Sequence, residues 1–96
     1  MQLLTKELLA KLPLIGSQEN VKDPMVVAKF FYPDFDWTWY AIEFDGKDEF
    51  FGLVCGFEKE LGYFSLSELQ KNHGKMGMPI ERDRWFTPCK LSTLMG

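Results

Sequence analysis

His73 is the one imidazole of the chain, in the sequence Asn72-His73-Gly74. Catalysis needs a nucleophile, a base and a group that stabilises developing charge, and no neighbour in sequence gives His73 such companions. It falls at the end of an expected helix, where an imidazole favours the negative pole of the helix dipole. Zinc is poorly served, because one histidine and the distant Cys55 and Cys89 have no ligand spacing. Gly74-Lys75-Met76-Gly77 lacks the preceding strand and the following Ser or Thr of a phosphate-binding loop. The expectation is therefore a protein with no enzymatic activity and no metal or other cofactor.

Two groups of residues invite a binding role instead. Asp34, Asp36, Glu43, Asp45, Asp48, Glu49, Glu58 and Glu60 are eight acids set against Lys47 and Lys59, a local net charge of −6 in a chain of net −3. Some of them flank turns, where polar residues serve solubility alone. Taken together they would form a negative surface that engages a basic groove on another protein, as a mimic of a phosphate backbone would. The same charge disfavours direct contact with nucleic acid. Calcium is not expected, since the Asp45–Glu49 spacing lacks the long ligand loop of that ion. The second group is Trp37, Trp39 and Tyr40, which line an aromatic patch if one of the two sheet faces they occupy is open and belong to the core if both are covered.

The elements that must position these residues follow from the pattern around them. Thirteen of the fifteen aromatic residues fall between Phe30 and Phe64, and Gly, Pro and Asp-Gly break that segment into strand-length runs. Met25 to Tyr32 and Trp37 to Phe44 read as strands. In the second, Trp37, Trp39 and Ala41 share one face, and Thr38, Tyr40, Ile42 and Phe44 share the other. Asp45-Gly46 signals a tight turn into a third strand, Glu49 to Phe57. There Gly52 and Gly56 leave gaps on one face for large neighbours such as tryptophans to fill. Gly62 to Phe64 reads as a short fourth strand and Arg82 to Phe86 as a last one.

Thr5 is a good N-cap for a helix from Lys6 to Leu12 that Pro13 ends, with Leu4 and Leu9 at the spacing of a hydrophobic staple. Ser65-Leu66-Ser67-Glu68 fits a capping box for a second helix reaching about Asn72. Leu91 to Leu94 has room for one helical turn. The polar stretch from Gly16 to Pro24 and the stretch from Lys75 to Pro79 read as loops. The 96 residues make one domain, 1–96, of α+β class: a four- to five-stranded antiparallel meander with short helices on one face.

With 46% hydrophobic and 16% aromatic residues, the chain has the means to bury a real core. No secretory leader is read at Met1-Gln2-Leu3-Leu4, where Lys6 and Glu7 follow at once, and no apolar run approaches the ~18–20 residues that span a membrane. A reduced, cytoplasmic protein is expected, with Cys55 and Cys89 as thiols and a disulfide between them the lesser reading.

Trp37-Thr38-Trp39-Tyr40, Glu43-Phe44-Asp45-Gly46, Phe51-Gly52-Leu53-Val54 and the run from Leu61 to Leu69 resemble the bacterial family called domain of unknown function 2958. Leu3-Leu4-Thr5-Lys6-Glu7-Leu8 and Pro79-Ile80-Glu81-Arg82-Asp83 extend the resemblance to nearly the whole chain. It implies a small cytoplasmic protein of plasmids, phages and integrated elements, and it supplies no catalytic residues; Cys55 and Cys89 are atypical of it. The expectation drawn from acids and resemblance together is an interaction protein of mobile-element origin. It would bind and inhibit or modulate a host nucleic-acid-handling complex, as an anti-CRISPR or DNA-mimic inhibitor does. The alternatives are a small-ligand or peptide-binding module using the aromatic face, and an accessory subunit of a plasmid replication or conjugation assembly. The expected partner is a host protein or complex with a basic surface, with neither nucleic acid nor membrane bound directly, and the chain itself a monomer or an edge-paired homodimer.

Overall fold

The computed structural model describes residues 2–95. Thr5 caps the first helix, α1 (Lys6–Lys11), by accepting the Leu8 N–H on its hydroxyl at 3.2 Å. The expected first strand is two strands. β1 (Met25–Val26) and β2 (Ala28–Phe31) part company at Val27, whose N–H still donates to the Ala41 carbonyl at 2.8 Å. β2 then pairs with β3 (Thr38–Phe44), β3 with β4 (Glu49–Cys55) and β4 with β5 (Lys59–Ser65), all antiparallel. β5 is longer than the expected Gly62–Phe64, because its first residues lie on a sheet edge where the polar run Glu58-Lys59-Glu60 suits solvent.

Ser65 then caps α2 (Leu66–Lys71), accepting the Glu68 N–H at 3.1 Å. The short β6 (Glu81–Arg82) joins the far side of β2, giving the order β5-β4-β3-β2-β6. An unforeseen β7 (Cys89–Lys90) pairs with β1 as a separate two-stranded sheet and leads into α3 (Leu91–Met95). The fold is α+β and mostly β, with a five-stranded antiparallel sheet, a two-stranded one and three short helices.

The main core lies between the sheet and the first two helices. Leu8 of α1 and Leu69 of α2 pack with Phe30, Trp39, Phe44, Phe50 and Phe64. Phe50 sits at its centre, its ring 4.5 Å from that of Phe44, 5.2 Å from Phe64 and 5.5 Å from Phe30. Offset and tilted pairs of this kind add to what area burial alone contributes. The opposite face is covered in part, with Val26, Ile42 and Leu53 buried on that side and the Tyr40 ring 5.9 Å from Phe86, while Leu61 and Tyr63 at its edge are exposed.

Phe44 belongs to the helix-covered face, a correction to the simple alternation that groups it with Tyr40. A bulge accounts for it: Ala41 pairs with Gly52 and Glu43 with Phe51, so Ile42 is an extra residue and the alternation inverts after it. The two strand glycines have different reasons. A Cβ at Gly56 would run into the Trp37 indole, as expected of a gap filled by tryptophan, whereas one at Gly52 would strike the carbonyl of Tyr40 across the strand pair. Gly52 is needed for backbone approach, not for a ring.

Candidate functional site

The eight acids divide once their neighbours are known. Asp45 sits at the head of the β3–β4 turn, where Gly46 takes a φ of +87°. Its Oδ1 accepts the N–H groups of Lys47 and Asp48 at 2.8 Å each and of Glu49 at 3.0 Å. Those backbone donors, Lys47 first, hold its carboxyl below the usual carboxylate value. Asp48 reaches across to the start of α2. Its two oxygens accept the N–H and the hydroxyl of Ser67, both at 2.8 Å, and its carbonyl accepts the Leu66 N–H at 2.7 Å.

Asp34 ties down the segment after α2. Its Oδ2 accepts the Met76 N–H at 2.7 Å, while Oδ1 is sealed against Gly74, where any Cβ would collide with it. Glu43 is only 4% exposed and accepts the Gln18 N–H on Oε2 at 2.7 Å, so it adds nothing to an exposed surface. The bulge at Ile42 is the reason, because it turns Glu43 under the 16–24 loop. Asp36, Glu49, Glu58 and Glu60 remain as exposed acids, and Asp45 is exposed too, with its Oδ1 engaged in the turn.

The aromatic candidates divide as well. Trp39 is 8% exposed and part of the core. Tyr40 pairs with Leu53 on the opposite face, and burial pushes its hydroxyl above the ordinary value. Trp37 is half-buried and belongs to a line of rings leading outward from the core: Trp39 to Tyr32 at 5.3 Å, Tyr32 to Phe35 at 6.0 Å, Phe35 to Trp37 at 6.4 Å and Trp37 to Phe57 at 5.3 Å. Phe57 ends it at 92% exposure.

Sequence reasoning placed Phe57 on a strand face and missed it as a surface residue. Its signal was Gly56 beside it, which ends β4 so that Phe57 stands in the β4–β5 turn. Glu58 and Glu60 line with Trp37 and Phe57 a shallow cavity of about 250 Å³. On the other side of Trp37, a wider cleft of about 600 Å³ runs past Tyr32 and Phe35 to His73 and Lys75. The Lys75 ammonium lies 5.0 Å from the Phe35 ring centre.

Exposed His73 has its Nδ1 3.0 Å from the Lys71 carbonyl and bridges to Pro79 through its backbone. Among the described residues no three His, Cys, Asp or Glu side chains gather in a way that would hold a metal ion. Cys55 and Cys89 are free thiols, and burial raises the Cys55 thiol above its ordinary value. No helix among the described residues is long and apolar enough to cross a membrane. No curated protein and no solved structure matches the chain. The model of a family of proteins of unknown function, DUF2958, matches residues 3–95, and the chain belongs to that family.

Proposed function

We propose that the chain is a non-enzymatic interaction protein whose binding surface is the β4–β5 turn with the rings behind it. The observation that carries this reading is Phe57, 92% exposed and edge-on to Trp37, beside the exposed acids Glu58 and Glu60. A large aromatic side chain held at the surface by a second ring, with charge around it, has the make-up of an interface anchor with a polar rim. The acids select a basic partner and speed encounter with it, and the rings supply the buried area. A basic groove of the kind that holds a phosphate backbone suits such a surface. On this reading the protein acts by occupying that groove on a nucleic-acid-handling complex, in the manner of a DNA-mimic or anti-CRISPR inhibitor. The surface is smaller than the eight acids suggest, because Asp34, Glu43 and Asp48 are engaged within the fold and the exposed Asp45 is tied to its own turn.

The test is capture of partners from a bacterial lysate by the tagged protein and by two variants, Phe57→Ala and the pair Glu58→Lys with Glu60→Lys. A partner held by the wild type, released by salt and lost by both variants is the expected result. Retention of that partner by both folded variants would refute this surface.

A further inference from the structure

The bulge in β3 does more than move Phe44. Uninterrupted alternation would put Glu43 on the helix-covered face with Trp39 and Ala41, but the extra residue at Ile42 sends it to the other face, opposite Phe51. Bulges commonly re-aim a side chain next to a binding site. Here the re-aimed group is a carboxylate at 4% exposure. Its Oε2 accepts the Gln18 N–H at 2.7 Å; among the described residues Oε1 accepts no hydrogen bond, yet it is not sealed from solvent. No lysine or arginine among the described residues forms an ion pair with it.

Glu43 lines a cavity of about 440 Å³ between the 16–24 loop and the sheet, with Ile42, Phe51, Leu61 and Tyr63 as apolar wall; Glu19 and Lys22 also line it, so the acids outnumber the one cation. That volume lies within the ~300–1,000 Å³ usual for small-molecule sites. A carboxylate has about four acceptor positions; among the described residues Glu43 is given one donor, the Gln18 N–H, which leaves Oε1 to a donor that enters the cavity.

We propose that this cavity binds an organic ammonium group. Its N–H donors complete the shell of Glu43 Oε1, and its apolar body lies against Phe51 and Tyr63, whose ring faces also attract a cation. An anion is repelled by Glu43, and a neutral apolar molecule leaves the carboxylate unpaired. The site lies on the opposite sheet face from the Trp37–Phe57 cluster and shares only Tyr63 with the cleft beside Trp37, so the Glu43 variant tests it separately from the interaction surface.

The experiment is NMR titration of the ¹⁵N-labelled full chain with benzylammonium and, separately, with its neutral isostere benzyl alcohol. Saturable shifts at the amides of Gln18, Glu43, Phe51 and Tyr63 are expected for benzylammonium, with benzyl alcohol bound more weakly by a factor of about ten at the least, the smallest effect of one charge-assisted hydrogen bond. Glu43→Gln keeps an acceptor for the Gln18 N–H and should lose the same factor. Tyr63→Ala at an exposed edge position should weaken binding without disturbing the fold, a check that survives if Glu43→Gln does not fold. Nα-acetyl-lysine methylamide distinguishes the source of the ammonium. Tighter binding than benzylammonium assigns the site to a lysine side chain of a partner, and weaker binding to a free amine. Equal affinity for benzyl alcohol, undiminished binding by Glu43→Gln, or shifts away from the cavity would overturn the proposal.

Discussion

Asp48 would be a natural choice for charge reversal on an acidic surface, and the structure predicts that such a variant fails for a different reason. Its carboxylate accepts two hydrogen bonds from Ser67, from the backbone N–H and the hydroxyl, each at 2.8 Å. The N–H is one of the first in α2, with no partner inside the helix. Bonds to a charged acceptor contribute about 1.5–3 kcal/mol each when well shielded, and losing a helix cap costs about 0.5–2 kcal/mol. Asp48 and Ser67 are only partly buried, so about 2–3 kcal/mol is expected for Asp48→Ala.

A 96-residue domain has about 5–14 kcal/mol of stability in all. At about 4–8 °C per kcal/mol the melting temperature would fall by roughly 8–24 °C. Urea denaturation followed by tryptophan fluorescence measures the change as a lower midpoint at unchanged slope. Asp48→Asn, which keeps acceptor capacity but loses the charge, should fall between wild type and Asp48→Ala. Ser67→Ala, which loses one of the two bonds, should cost about 1 kcal/mol, and the double variant should cost less than the two singles together. An Asp48→Ala midpoint within about 0.5 kcal/mol of wild type, the range usual for featureless surface positions, would refute this reasoning and return Asp48 to the free surface.

Gly56→Ala should displace the Trp37 indole, shifting tryptophan emission and costing about 1–3 kcal/mol, whereas Gly52→Ala meets backbone and should prevent folding; an equally mild effect of the two in a thermal melt would contradict the different obstacles they face. Acid sensitivity should rest partly on Asp45. Its folded value lies below the unfolded value, so its contribution is complete above about pH 4 and is lost as pH falls through the folded value. Asp45→Asn should therefore show a shallower loss of stability below about pH 4, and identical acid limbs in pH-dependent denaturation would count against the turn hydrogen bonds. The Cys55 thiol, raised by burial, should alkylate with iodoacetamide at pH 8 more slowly than an unstructured cysteine peptide, and equal rates would show it to be open to solvent.

The parts legible in the sequence are those whose causes lie within a few residues. Thr5 and Ser65 cap helices because their hydroxyls reach N–H groups three residues on. The meander from β2 to β5 follows from strands joined by short turns, Asp45-Gly46 among them, where consecutive strands pair most readily. The segment from Phe30 to Phe64 accordingly announces its sheet.

What the tertiary structure decided depends on partners distant in sequence. The bulge at Ile42 is one extra residue, invisible in an alternating pattern until β4 lies alongside, yet it sends Phe44 to the core and Glu43 into a cavity. Val27 divides what reads as a single strand because β7, more than sixty residues later, takes up β1. The acids look alike in sequence and differ only by what meets them: Ser67 for Asp48, Met76 for Asp34, Gln18 for Glu43, and solvent for Glu58 and Glu60. A hydrogen bond is settled within about 3 Å of its donor, and only the folded chain sets that distance between residues far apart along it.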